Sequence, residues 1–298
     1  MPEVPTIRVA IGGFAGYELL DSGNRRKLER WGGIRVVRGE PKAWWEPRLG
    51  HEEWNQARAI HEEECGWHLA PGCPRDWVLE CEGWRMQARL SDTSKHVGIF
   101  PEQSPHWRVI GSAAPSAGAG GAEPPRLLNL FGYTGAATLA AARAGWSVTH
   151  VDASRPATAW ARENQRLSGL DEAPIRWIVE DAMKYVRREL KRGSRYEGLL
   201  LDPPAFGRGP TGTVWKVEHH LTELLDLCRQ VLSDRPQLVI LTTYNIEASA
   251  LMLRNLMNDM MHGFTGSLET GELALAHRGA PERLLPLSIY ARWKAAAR

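Results

Sequence analysis

The stretch from Leu127 to Asp152, LLNLFGYTGAATLAAARAGWSVTHVD, leaves the second half of this chain few folds to choose from. The apolar run Leu127 to Leu130 reads as a buried parallel strand. It breaks at a loop, Phe131-Gly132-Tyr133-Thr134-Gly135, and enters an alanine-rich helix whose natural C-cap is Gly145. Trp146 to Val151 is a second strand, and it ends on an acid, Asp152. Strand, glycine loop, helix, strand, acid is the grammar of a βαβ unit that holds an adenosine-containing group. The glycines allow a sharp turn and close approach of a ligand, and Asp152 is placed to accept hydrogen bonds from a ribose hydroxyl pair.

The alternation continues to the C-terminus. Ser154 caps a helix that runs to Gly169. Strands are expected over 175–179, 196–201 and 237–243, and helices over 182–192, 217–232 and 246–262. Two last strands are expected near 267–276 and 285–293. Repeated βαβ units imply right-handed crossovers and a mostly parallel sheet covered on both faces. The expected fold is therefore α/β, a Rossmann-like sheet, with ligands gathered at the carboxyl ends of the strands. The 131–135 loop, Asp152, Asp181 and Asp202 all fall at such ends.

Residues 1–110 read differently. They hold eight of the thirteen tryptophans in short segments broken by Gly and Pro. Trp77–Cys81 and Trp84–Leu90 suggest a hairpin, Tyr17–Leu20 a strand leading to a basic stretch, and His51–Glu64 a helix. This is a small, mainly β accessory domain. Its tryptophans are expected in core packing, with base stacking the alternative. Residues 111–126, GSAAPSAGAGGAEPPR, cannot bury apolar surface and read as a flexible linker before a second domain at 127–298.

A net charge of +2 over 298 residues does not announce a nucleic-acid binder. Two local basic clusters stand out: Arg25, Arg26, Lys27 and Arg30, and Arg187, Arg188, Lys191, Arg192 and Arg195. No apolar run approaches the roughly 20 residues of a membrane helix. Met1–Ala10 is unlike a signal peptide, and four cysteines without an export signal point to free thiols in the cytoplasm. Cys65, Cys73 and Cys81, with His61 and His68 nearby, lack any C-x2-C pair, so no metal site is expected.

A nicotinamide site asks for G-x-G-x-x-G, and this loop is Gly132-Tyr133-Thr134-Gly135. S-adenosylmethionine asks for a loop around its amino-acid end, an acid for the ribose and a polar group for the adenine amine. The 131–135 loop, Asp152 with Ala153, and Asp181 with Ala182 meet those needs; Asp181 also reads as a helix N-cap. Asp202-Pro203-Pro204-Ala205-Phe206 follows a buried strand. Two prolines fix φ and remove two N–H donors, leaving a carboxylate and carbonyls at a rigid corner where a substrate amine could bind and Phe206 could stack on a planar ring. Methyl transfer from a sulfonium then needs mainly in-line alignment and an acceptor for any proton lost.

The segments NLFGYTG, VDAS, ARENQ, EDAMKYV, LDPPAFGRG and LPLSIYARW resemble class I S-adenosylmethionine-dependent methyltransferases related to the bacterial 23S ribosomal RNA enzymes that act on cytosine C5 or guanine N7. The chain looks most like their stand-alone branch, and the likeness extends to YELLDSGNRRKLERWG and KHVGIFPEQSPHW. It implies that the 131–135 loop, Asp152 and Asp181 hold the cofactor and that Asp202, Pro203, Pro204 and Phe206 line the acceptor site. It also makes Phe100 and Gln103 candidates, from an element that folds over the cofactor. Two departures matter. Asn129 replaces the usual acid and Tyr133 the middle glycine of the first motif. A cytosine-C5 enzyme needs a cysteine that adds to C6, whereas 242–245 reads Thr-Thr-Tyr-Asn and Cys228 is expected mid-helix. The expected function is methylation of a nitrogen on an RNA base, ribosomal RNA first. The alternatives are a small-molecule or protein-side-chain methyltransferase and an inactive cofactor-binding assembly factor.

Overall fold

The computed structural model describes residues 5–113, 123–208, 212 and 214–296. The elements in chain order begin with eight strands and one short helix. They are β1 (Ile7–Gly12), β2 (Tyr17–Gly23), β3 (Arg26–Trp31), β4 (Ile34–Gly39), α1 (His51–Trp54), β5 (Ala59–Glu62), β6 (Gly66–Leu69), β7 (Asp76–Cys81) and β8 (Trp84–Arg89). A 3-10 turn, Pro101–Gln103, leads into α2 (Ser104–Ala113). The α/β array follows: β9 (Arg126–Leu130), α3 (Ala136–Arg143), β10 (Ser147–Asp152), α4 (Arg155–Leu167), β11 (Ile175–Val179), α5 (Ala182–Lys191) and β12 (Gly198–Leu201). The chain closes with β13 (Phe206–Arg208), β14 (Val214–Lys216), α6 (Val217–Val231), β15 (Leu238–Thr243), α7 (Ala250–Met261), β16 (Gly266–His277) and β17 (Ala280–Ala295).

Two compact units divide the chain. One comprises Met1–Ala10, His106–Glu272 and Ser288–Arg298; the other comprises Ile11–Pro105 and Leu273–Leu287. In the larger unit the sheet runs β11-β10-β9-β12-β15-β17-β16. β11, β10, β9, β12 and β15 are parallel, and β17 joins antiparallel. Strand order reverses between β9 and β12, and that switch point is where such sheets open a crevice. Alternate residues of each strand serve opposite faces. Leu128, Leu130, Leu199, Leu201, Val239 and Leu241 pack with α5, α6 and α7. Leu127, Val148, Leu200, Leu238 and Ile240 pack with Ile110 of α2 and Ala141 of α3. Burial on both faces explains why these strands read as unbroken apolar runs.

In the smaller unit β2, β3 and β4 form an antiparallel meander, extended by β5 and β6. Its turns are tight. Asn24 and Arg25 both take positive φ (50° and 60°), as do Glu82 and Gly83 between β7 and β8 (50° and 90°), the geometry that matches strand twist.

The helix expected over His51–Glu64 is confined to His51–Trp54. Val36 and Val37 of β4 instead recruit Ala59 and Ile60 as a parallel strand, and Ala59 is fully buried there. Pairing outweighs the helix propensity of Glu and Ala. Of the expected linker, Gly111–Ala113 end α2, Arg126 opens β9, and residues 114–122 lie outside those described. The Gly/Pro-rich loop after Pro204 carries a short hairpin, β13 with β14. The two last strands are longer than expected and meet at a tight turn with Gly279 at φ 77°.

Candidate active site

Strand register aligns the candidate residues. Leu130 of β9 is level with Val151 of β10 and Leu201 of β12, so Phe131, Asp152 and Asp202 leave the sheet side by side. Asp152 pairs with Val179 of β11, which places Asp181 two residues beyond. Leu201 pairs with Leu241, setting Thr242 beside Asp202.

The loop after β9 is strained. Phe131 and Tyr133 hold φ at 60° and 49°, a region costly for residues with a Cβ. Local bonds fix them there. The Gly132 N–H donates to Val151 O (3.1 Å), the Gly135 N–H to Gly132 O (3.0 Å), and the Tyr133 N–H to Asp152 Oδ2 (2.8 Å). The Phe131 ring packs 5.2 Å from Trp215, and Asn164 Nδ2 of α4 donates to Thr134 O at 2.9 Å. Gly132 has no room for a side chain: a Cβ would lie 2.5 Å from His150 Nδ1.

Asn129, where the family pattern has an acid, begins a buried neutral chain. Its Nδ2 donates to Thr138 Oγ1 (2.9 Å), which is 2.9 Å from His150 Nδ1. Burial pushes His150 down to about 3, so the ring is neutral near pH 7. It lies 4.6 Å from Trp177 and forms the floor under Gly132.

Asp152 is engaged within the fold. Oδ2 takes the Tyr133 N–H and Oδ1 the Ser154 N–H (2.7 Å), bracing the loop and the start of α4. Desolvation raises its pKa, opposed by those two N–H donors. A carboxylate has about four acceptor positions, so two remain for a hydroxyl pair. Asp181 caps α5 through Oδ1 to the Lys184 N–H (2.9 Å), leaving Oδ2 without a hydrogen bond among the described residues. Ala153 is half-buried, and Ala182 is buried at the start of α5. Gln103 ends the 3-10 turn and belongs to the smaller unit, as does Phe100.

At the proline corner Pro203 is buried and Pro204 exposed. Trp215 Nε1 donates to Pro204 O at 2.7 Å, and Val217 N to Ala205 O at 3.0 Å. The Pro204 and Ala205 carbonyls therefore have internal partners, because the hairpin folds back onto the corner. Phe206 is 54 % exposed at the first position of β13. Trp215, which sequence reasoning missed, ties the corner to the Phe131 loop. Its only sequence signal is an aromatic residue inside a Gly/Pro-rich loop.

The cysteines are dispersed in burial: Cys65 is exposed, Cys73 intermediate, and Cys81 and Cys228 buried. Cys228 sits within α6, and burial pushes its thiol up, away from the nucleophilic thiolate. Glu62, Cys65 and His68 bring their donor atoms within 4.8 Å of one another, all exposed, with His68 Nε2 3.3 Å from Glu62 Oε2. Part of each basic cluster is neutralised. Lys27 is buried against Glu40 (3.1 Å), and Arg30 pairs with Glu18. Arg187 pairs with Glu223, Arg188 with Glu180 and Arg192 with Glu189.

Residues 42–245 match the model of the S-adenosylmethionine-dependent methyltransferase family. The crystal structure of a SAM-dependent methyltransferase from Agrobacterium tumefaciens is 43 % identical and superposes with a TM-score of 0.92, over 99 % of this chain and 95 % of that one. The protein SMU.776, solved in complex with S-adenosylhomocysteine, shares the fold at 17 % identity and a TM-score of 0.72, over 93 % of this chain and 75 % of that one. The ribosomal RNA large subunit methyltransferase K/L of Shewanella frigidimarina is 33 % identical over 144 residues, 48 % of this chain. That match covers 19 % of the relative, so the chain spans under a fifth of it. No helix among the described residues is long and apolar enough to cross a membrane. The loop with its spare acceptors on Asp152 and Asp181 fits an adenosyl group carrying an amino acid. The chain belongs to the S-adenosylmethionine-dependent methyltransferases, and S-adenosylmethionine is its cofactor.

Proposed function

We propose that this enzyme methylates a nitrogen of an RNA base, with ribosomal RNA as the first substrate to test. The observation that carries the reading is the corner itself. Asp202 leaves β12 level with the cofactor loop, between two strands whose ends hold Phe131 and Thr242, and Phe206 stands exposed four residues on. A planar base stacked on Phe206 would bring an edge nitrogen toward Asp202. The bound cofactor supplies an electrophilic methyl group. With that methyl group in line with the nitrogen lone pair, the Asp202 carboxylate would hold the acceptor's N–H and take the proton that methylation releases. Cofactor contacts fall to the 131–135 loop, to Asp152 with Ala153 for the ribose, and to Asp181 with Ala182 for the adenine. Pro203 and Pro204 set the corner's rigidity, which the Trp215 bond reinforces.

A cytosine-C5 mechanism is disfavoured by Cys228, whose thiol is buried inside α6. The RNA reading draws on relatives named for ribosomal RNA methylation. With it go a cytoplasmic location and a division into an accessory domain (1–110), a linker (111–126) and a transferase domain (127–298). The test is mass spectrometry of ribosomal RNA nucleosides from a strain lacking the gene. One methylated base should vanish and return with the wild-type gene. An unchanged spectrum, with labelled methyl appearing instead in protein or small molecules, overturns the proposal.

A further inference from the structure

Within the unit formed by Ile11–Pro105 and Leu273–Leu287, most tryptophans are accounted for. Trp31, Trp67 and Trp84 are buried. Trp45, Trp54 and Trp77 are half-buried, and their indole N–H groups donate to Ser22 O (2.9 Å), Asp21 Oδ2 (3.2 Å) and Trp31 O (3.1 Å). Trp44 is the exception. Its side chain is 78 % exposed, the largest exposure of any bulky apolar residue described. Exposed as it is, the ring adds little to the core, and water contact makes it a recurring cost to solubility.

The ring is nonetheless held in place. Trp44 Nε1 donates to Pro41 O at 2.7 Å and its backbone N–H to Lys42 O at 3.0 Å. On either side, Asn24 N donates to Trp45 O (2.7 Å) and Arg25 N to Ala43 O (2.8 Å), and Ala43 is fully buried. The loop is thus stitched to the β2–β3 turn. Because the indole N–H is satisfied internally, what Trp44 offers a partner is its π-face. That turn also carries Arg25 and Arg26, both exposed and without a carboxylate at ion-pair distance among the described residues. Arg26 already lies over an aromatic face, 5.6 Å from the Trp54 ring. Of the acids nearby, Glu40 pairs with Lys27 at 3.1 Å and Glu46 receives Asn24 Nδ2 at 2.8 Å.

We propose that Trp44, with Arg25 and Arg26 beside it, is a stacking platform for an unpaired base of a single RNA strand, the arginines meeting its phosphates. This rests on the RNA reading above and assigns part of that binding to the smaller unit. A pre-oriented aromatic face on a loop bonded to a turn with two exposed arginines is the chemistry that captures a splayed base, since every base has a π-face and each phosphate a charge. Protein surfaces instead favour a wider apolar patch, and Trp44 has polar and charged neighbours.

The test is fluorescence anisotropy of a fluorescein-labelled single-stranded oligoadenylate titrated with the full chain, alongside calorimetry with S-adenosylhomocysteine. Trp44→Ala and Trp44→Leu should each weaken oligonucleotide binding by about 5- to 100-fold, and Trp44→Phe by much less. Replacing Arg25 and Arg26 by Ala should flatten the slope of log K against log salt by about 1.4. All variants should bind S-adenosylhomocysteine as the wild type does. The proposal is overturned if Trp44→Leu binds the oligonucleotide like wild type. It is equally overturned if wild type fails to bind it, and self-association lost in Trp44→Ala would then give the face to a second copy. Failure of wild type to bind S-adenosylhomocysteine would strike the cofactor assignment, leaving the Trp44 result independent.

Discussion

Two buried polar clusters, one in each unit, are built on opposite principles. Beneath the 131–135 loop, Asn129, Thr138 and His150 form a chain of neutral groups, each engaged by a neighbour at 2.9 Å. In the smaller unit the cluster is ionic. Glu29 is fully buried and takes a bidentate pair from Arg38 (2.5 and 2.9 Å), the Tyr17 hydroxyl (2.9 Å) and, more distantly, Lys27 (3.7 Å). Burial works against the Glu29 charge, but Arg38 and Lys27 overcome it and hold the carboxyl down at about 2. A neutral chain supports the glycine loop without placing a charge beneath it. An ionic cluster ties the three strands of a small meander together through one carboxylate. The difference is between a floor that must stay electrically quiet and a hub that must stay locked.

Removing one partner separates the two. Glu29→Gln strands Arg38 in the interior, while Lys27 keeps Glu40 at 3.1 Å, and should cost about 3–5 kcal/mol in urea unfolding of the full chain. Asn129→Ala removes one donor from a hydroxyl that keeps His150 as its partner and should cost about 0.5–1.5 kcal/mol. Equal costs would erase the distinction. Gly132→Ala tests the floor from above. Its methyl group collides with His150, so an overpacking cost of about 1–3 kcal/mol should appear together with weaker S-adenosylhomocysteine binding by calorimetry. Unchanged affinity would mean that the loop tolerates displacement.

Acid gives the smallest and most graded contrast. His150 and His106 in the larger unit, and His96 in the smaller, are each held at about 3 by burial, against about 6.5 in an unfolded chain. Between those values the unfolded state binds the extra protons, so stability falls as pH drops from about 6.5 toward 3. Glu29 adds to the loss with the same sign between its usual 4.5 and about 2. His150→Asn should flatten the slope of stability against pH in the upper window by up to one proton, whatever it does to stability at pH 7. A slope identical to wild type would show that His150 is protonated in the fold.

The legible parts of this molecule are the contiguous ones. The loop, the strand-end acids and the proline corner each occupy a few adjacent residues, and parallel strands carry them to one edge. The β2–β3–β4 cluster joins Tyr17, Lys27, Glu29 and Arg38 across three strands. Read along the chain, Lys27 looks like a surface cation among arginines, since charged residues rarely go inside unpaired. The helix expected at His51–Glu64 failed for a related reason: its local propensity carried no trace of the β4 pairing that claims Ala59 and Ile60. Gly132 announced a close approach, but nothing in the chain named His150 as the group approaching. Trp215 was hidden because its role comes from a hairpin folding back onto Pro204.

The assignment of the corner rests most directly on Asp202→Ala, assayed in parallel for S-adenosylhomocysteine affinity and for transfer of labelled methyl to total RNA from a strain lacking the gene. The account predicts affinity within about threefold of wild type, the scatter of a peripheral substitution, and no transfer to RNA. Wild-type transfer by that variant would contradict it.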